Sequence, residues 1–394
     1  MKKILSGTLF FLTCLSLFSA PRAKRTELKI WESSGSEKNF ILYAMKEYKK
    51  IKPNVRIIYE PVEATDARNK IELDGPAGVG ADIFVSPHDH IGALVSGGHI
   101  LPVEDASEYM AHFYPMAKQG ATYNGVVYGY PLAAETYALF YNKDLIKNPP
   151  KTWDEIITFA KTWNNKFENK YAIAWPVDDP YYAYMFLDSF GAPLFGPDGQ
   201  DPKKHNLDTP QAVKGLTYMQ SLREKLLNVP AMDCSLDFVN TSFTNGNVPL
   251  AINGPWKIQE YKKLGMNFGI TTLPAFPGTN KPATSFSGIR LAFVSSYSAY
   301  PEEAIEFVKF LTSKEMLQKR LEITDQIPPR DDIEITDPYS KGIQEQLKYA
   351  KPMPTVNKIS AYWSNMRSVY SAIWSGEDVQ KSLEPAIRTI EATR

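Results

Sequence analysis

The chain has 394 residues, and its 44 Lys+Arg balance 44 Asp+Glu, so its overall charge gives no attraction to nucleic acid or an anionic membrane surface. Hydrophobic residues at 43% and charged residues at 22% describe an ordinary globular protein, and the length predicts two lobes around two cores. With only Cys14 and Cys234 present, a cysteine-built metal cage is excluded, while the 12% aromatic share leaves rings to spare for a stacking surface.

At the start, Lys2 and Lys3 precede an apolar run over residues 4–18, and the small residues Ser19, Ala20 and Ala23 follow. That layout predicts an export signal over residues 1–23, too short to serve as a membrane span. Phe11, Leu12 and Thr13 ahead of Cys14 fit a lipid-attachment site poorly, so the mature chain is expected to keep Cys234 alone, as a packed thiol. Periplasmic export follows. No later segment is long and apolar enough to span a bilayer.

Residues 28–31 read as a short strand that breaks at Glu32-Ser33-Ser34-Gly35. Ser34 and Glu37 have capping-box spacing, predicting a helix through Lys50 that ends before Pro53. Val55, Ile57 and Tyr59 alternate as a second strand, and residues 82–85 form a third ending at Ser86-Pro87; strand–helix–strand order predicts a parallel sheet with covering helices. Further along, Thr152 and Glu155 form another capping box, with Trp153, Ile156, Ile157 and Ala160 lining one helical face. Thr209-Pro210 supplies a cap and an N1 proline for the next helix. Residues 248–252 read as a strand running into Asn253-Gly254-Pro255-Trp256, with helix from Pro255. Pro301 opens another helix, and the tail from Ser360 is helical with a break near Ser375-Gly376.

Several blocks, in order, carry a resemblance: Gly80-Ala-Asp-Ile-Phe with His88-Asp89; Tyr130-Pro131 to Glu135; Phe140-Tyr-Asn-Lys-Asp-Leu145 with Pro149-Pro-Lys-Thr-Trp153; Asp179-Pro-Tyr181; Ala251-Ile-Asn-Gly-Pro-Trp256; and Ser360-Ala-Tyr-Trp363 with Arg367. The chain resembles the maltose/maltodextrin-binding proteins of sugar ABC transporters, over about residues 26 to 394. The resemblance implies an α/β fold of the periplasmic-binding-protein type II. It has two lobes, each with a mixed sheet covered by helices, a ligand cleft between them and three hinge crossings. The crossings are expected near residues 134–137, 285–290 and 327–330. The N-terminal lobe would comprise 26–134 and 291–328, and the C-terminal lobe 135–287 and 330–394.

A sugar offers C–H groups on its ring faces and hydroxyls around its rim, which call for flat aromatics and for charge-assisted donors and acceptors respectively. The resemblance implies stacking by Tyr181, Trp256 and Trp363, acceptance by Asp89, Glu135 and Asp179, and donation by Arg367. Asp89 would act from one lobe and the rings from the other, so that the ligand closes the cleft. The enteric members differ here: they carry an Asp-Lys pair where Gly35-Ser36 stands, Trp at Ser86, Arg at His90 and Glu at Asp179. Glu37, Ser86 and His90 are therefore included as ligand contacts through which the sugar would be chosen.

No third metal ligand of matching spacing accompanies His88 and His90, so no metal and no cofactor is expected. The implied partners are a maltodextrin-type oligosaccharide and an inner-membrane permease with its cytoplasmic ATPase, bound by a monomer. A binder of another gluco-oligosaccharide is the nearest alternative. A secreted glycoside hydrolase, using two of Asp89, Glu135 and Asp179 as acid and base, is the alternative from another class.

Overall fold

The computed structural model describes residues 26–393, so the expected export signal and Cys14 lie outside the described residues. Among these, the strands are β1 (Thr26–Glu32), β2 (Val55–Pro61), β3 (Ile83–Pro87), β4 (Thr122–Tyr123), β5 (Val126–Val127), β6 (Tyr130–Thr136), β7 (Ala138–Asn142), β8 (Ile173–Ala174), β9 (Leu250–Asn253), β10 (Phe268–Thr271), β11 (Phe286–Val294) and β12 (Lys351–Pro352). Leu28, Ile30 and Trp31 of β1 are wholly buried, and β2 and β3 pair parallel to it on its two sides. The first sheet runs β12-β11-β3-β1-β2, with β6 antiparallel on β11. β11 pairs through Arg290, Leu291 and Ala292 with both β3 and β6, so those two strands occupy its opposite edges. The second sheet has the order β10-β7-β9-β8, and β4 and β5 make a separate hairpin. Helices cover both sheets, as the two-lobed α/β reading requires.

Tyr137 alone separates β6 in the first sheet from β7 in the second, making the first crossing. The run from β10 to β11 makes the second. For the third, the chain leaves helix Lys314–Thr324, packed on helix Ser36–Ile51, and enters helix Pro338–Leu347, packed on β10. On the way Ala134 N–H donates to the Ile327 carbonyl at 2.8 Å, which lays the third crossing beside the first.

Local signals explain most elements. Thr152 Oγ1 accepts from Glu155 N–H at 3.2 Å, and Thr209 Oγ1 from Ala212 N–H at 3.2 Å. Trp153 is wholly buried, stacked on Phe276 with ring centroids 5.5 Å apart and edge-on to Trp175 at 5.6 Å. The tail forms helices Ile359–Trp374 and Val379–Ala392, with the expected break between them. After β9 the chain makes a 3-10 turn, Pro255–Lys257, before the helix Ile258–Lys263.

One cap departs from expectation. The helix Ser36–Ile51 has Gly35 at its cap position, at φ 81°, a left-handed conformation that suits glycine, and no side chain caps it. Ser34 Oγ instead donates to Glu63 Oε1 at 2.8 Å, and Glu37 accepts from Gln326 Nε2 at 3.0 Å within a buried cluster of charged side chains.

Candidate functional site

β3 runs straight into the 3-10 turn His88–His90, which fixes three of the expected residues. Ser86 is wholly buried, donates to the Ala64 carbonyl at 3.1 Å and lies 2.7 Å from His90 Nδ1. Asp89 is buried. Its Oδ2 accepts from the Trp363 indole Nε1 at 2.9 Å, a bond from the turn after β3 to the helix Ile359–Trp374, while its Oδ1 is sealed from solvent with no hydrogen-bond partner among the described residues. His90 Nε2 stands 4.0 Å from that same Oδ2. His88 is bridged on both sides: Ile289 N–H donates to Nδ1 at 3.1 Å, which makes Nε2 the protonated nitrogen donating to the Met353 carbonyl at 3.0 Å. Burial pushes both histidines below their ordinary value against the pull of Asp89, so both rings are neutral at pH 7.

The opposite wall is aromatic. Asp179 caps helix Pro180–Asp188, its Oδ1 accepting from Tyr181 N–H at 2.9 Å, and Pro180 occupies N1. This cap sets Tyr181 on the first turn. The Tyr181 ring lies 6.4 Å from Trp256 and 6.2 Å from Phe286, and Phe286 lies 5.8 Å from Trp363. Tyr181, Trp256 and Trp363 are half-buried, whereas Phe286 is wholly buried behind them, 3.5 Å from Tyr184 in a parallel stack. Rings that are partly open and fixed from behind supply flat apolar faces at little ordering cost.

Arg367 is mostly exposed. Its Nη1 donates to Asp178 at 2.8 Å and its Nη2 to Asp179 Oδ2 at 3.1 Å, so it braces the cap of the Tyr181 helix. Both Asp179 oxygens therefore already hold a protein donor.

Glu135 and Glu37 meet in a third group, with residues the sequence did not single out as a unit. Arg290 on β11 donates to Glu32 Oε1 through Nη2 at 2.8 Å, to Ser33 Oγ, and through Nη1 to Glu135 Oε1 at 3.3 Å. Arg320 donates to Glu32 Oε2 at 3.3 Å and to Gln326 Oε1 at 2.7 Å. Gln326 Nε2 reaches Glu135 Oε1 at 2.8 Å as well as Glu37 Oε1 at 3.0 Å. Burial by itself would raise the Glu32 carboxyl, but the Arg290 and Arg320 guanidiniums hold it below the ordinary range. At Glu135 burial prevails and lifts the carboxyl, against the pull of Arg290 and with Glu37 adding to the rise. A signal for this cluster did exist: Arg290 is the one charged residue in a nine-residue, largely apolar strand, and a buried guanidinium demands carboxylate partners. Phe286, an aromatic in a fully buried strand, carried none.

Cys234 is buried, and desolvation pushes its thiol up to about 12, which makes it a packing residue and not a nucleophile. Among the described residues no helix is long and apolar enough to cross a membrane.

The site therefore has a polar wall around the turn after β3 and an aromatic wall around helices Pro180–Asp188 and Ile359–Trp374, joined by the Trp363–Asp89 hydrogen bond. The family described as bacterial extracellular solute-binding protein matches residues 43–346. A maltotriose-binding protein of Pyrococcus abyssi is 29% identical over 337 residues, 83% of this chain and 72% of that one. A galactooligosaccharide-binding protein of Bacillus subtilis is 27% identical over 381 residues, 93% of this chain and 89% of that one. The crystal structure of a cyclo/maltodextrin-binding protein complexed with maltotetraose superposes with a TM-score of 0.79 at 32% identity, covering 94% of this chain and 98% of the other.

Proposed function

Because the chain belongs to the bacterial extracellular solute-binding protein family, we propose that it captures a maltodextrin-class oligosaccharide between its lobes and delivers it to an inner-membrane ABC permease driven by a cytoplasmic ATPase. In this reading Tyr181, Trp256 and Trp363 stack on successive sugar rings. Asp89 and Glu135 accept from hydroxyls, with Ser86, His90 and Glu37 alongside them. Asp179 and Arg367 hold the rim near Tyr181. The lobes are 26–134 with 291–328 and 135–287 with 330–394, and the ligand favours the closed state because only there does it touch both. The protein is an exported, periplasmic monomer that binds without turnover and needs no cofactor.

The observation that carries the reading is the pairing of three half-open rings with a buried carboxylate across the cleft, one of whose oxygens, Asp89 Oδ1, has no partner among the described residues. A buried acceptor without a donor is costly, and a sugar hydroxyl admitted when the Trp363–Asp89 contact parts would supply the missing one. A thermal-shift panel of maltose, maltotriose, cellobiose, trehalose and sucrose tests it. A sugar held at about 100 times its Kd adds about 2.7 kcal/mol of stability. The expected result is the largest rise with maltotriose; no rise with any sugar contradicts the reading. A day-long incubation with maltotriose should release no glucose, and glucose would point to the hydrolase instead.

A second reading, another gluco-oligosaccharide, draws support from the small Ser86 and its neighbour His90, which stand where the enteric members put Trp and Arg. Cellobiose responding above maltotriose in the same panel would favour it.

A further inference from the structure

One oxygen atom joins the three interlobe crossings. Glu135 lies on the first crossing, Arg290 in the strand entered by the second and Gln326 on the third, and Glu135 Oε1 accepts from Arg290 Nη1 at 3.3 Å and from Gln326 Nε2 at 2.8 Å. Its Oε2 accepts no hydrogen bond from the described residues and is not sealed from solvent. The two donors thus fix one oxygen of the carboxylate and leave the other to present a lone pair in a set direction.

Gln326 also stands where both lobes are gripped. Within the first lobe it donates to Glu37 and accepts from Arg320. The residue before it, Asp325, sits at φ 58° and is held from the other lobe by Gln259 Nε2 and Lys262 Nζ, each at 2.7 Å. Those two belong to the helix Ile258–Lys263, which follows the turn bearing Trp256. The Asp325-Gln326 dipeptide therefore links a stacking ring on one side to a sugar-facing carboxylate on the other.

We infer that Gln326 is a positioning residue that makes the contact between Glu135 and bound sugar depend on the register of all three crossings. By reciprocity, sugar on Glu135 then holds that register in its closed form. This inference rests on the sugar-binding reading above. Arg290 shares the task, but it also neutralises Glu32, so its replacement would disturb folding as well. Gln326 carries no charge and separates the two effects.

The test compares the mature wild-type chain with Gln326→Met, which keeps the volume and removes the amide. Gln326→Glu, which keeps an acceptor for Arg320, replaces it if the first variant does not fold. Without sugar, hydrogen exchange should quicken at all three crossings together, at residues 134–137, 285–290 and 325–330. Quickening confined to 325–330 overturns the inference. With maltotriose, Gln326→Met should weaken Kd about tenfold, the value of one hydrogen bond to a charged group. Combined with Glu135→Gln it should add nothing further, because it acts through Glu135. Losses that multiply in the double variant overturn the inference too. Failure of the wild type to bind any sugar would sink the function proposed above, and the exchange measurement would still decide whether the crossings are coupled.

Discussion

Trp363 has two jobs at the residue scale: its ring borders the aromatic wall and its indole N–H supplies Asp89 Oδ2. Trp363→Ala removes both and should cost about 2 kcal/mol of maltotriose binding, close to thirtyfold in Kd by calorimetry. Trp363→Phe keeps a ring and should lose less; an equal loss would mean the hydrogen bond, not the stacking, sets affinity. Glu32 illustrates a different cost. It is wholly buried between Arg290 and Arg320, so Glu32→Gln leaves guanidinium charge poorly matched and should destabilise by about 3–5 kcal/mol in urea unfolding at pH 7. Its folded value lies below the ordinary 4.5, so the stabilisation is present above pH 4.5 and is lost as pH falls through the depressed value. The cost of the substitution should shrink over that same range. Of these residues, Trp363 and Asp89 were legible as parts of ordered sequence blocks. Glu32 was legible where a strand breaks but not as half of a buried ion pair, because which charges will pair is decided by a partner hundreds of positions away.

At the scale of elements, the turn His88–His90 couples pH to stability. Both rings are buried and neutral, with folded values below the ordinary 6.5, so the unfolded chain takes up protons first as pH falls. Stability from this source is full above pH 6.5 and declines below it, by up to about 1.4 kcal/mol per pH unit for each histidine. Urea unfolding at pH 7.5, 6.5 and 5.5 should show the decline setting in below 6.5; a flat response would mean the rings accept protons without losing their bonds. The helix Pro180–Asp188, which carries Tyr181, depends on a close approach to the helix Pro210–Leu226: a Cβ added at Gly215 would stand 1.8 Å from the Phe186 carbonyl. Gly215→Ala must push the two helices apart and should cost about 1–3 kcal/mol, read as a lowered Tm. Periodicity and caps gave the helices from Thr152 and Thr209 because those signals are local. Ser34 misled for the same reason: its spacing to Glu37 looked like a cap, and a buried cluster claimed Glu37. Gly215 carried no local signal, since its need is set by another helix.

For the whole molecule, the two sheets and three crossings put carboxylates and rings on facing walls. Strand–helix–strand order foretold a parallel sheet. The resemblance implied mixed sheets and a return from the second lobe near residues 285–290, but the place of β11 between β3 and β6 carried no local signal. That return brings Arg290 to Glu135 and Phe286 to the rings, and with them the link between ligand and hinge. Titration calorimetry of the mature protein with maltotriose, read beside small-angle scattering of the same samples, tests the central claim of sugar capture between lobes most directly. One sugar should bind per chain, and a scattering radius that is larger without sugar should shrink to the closed value. Absence of heat with maltotriose, or binding that Trp256→Ala and Trp363→Ala leave untouched, would contradict it.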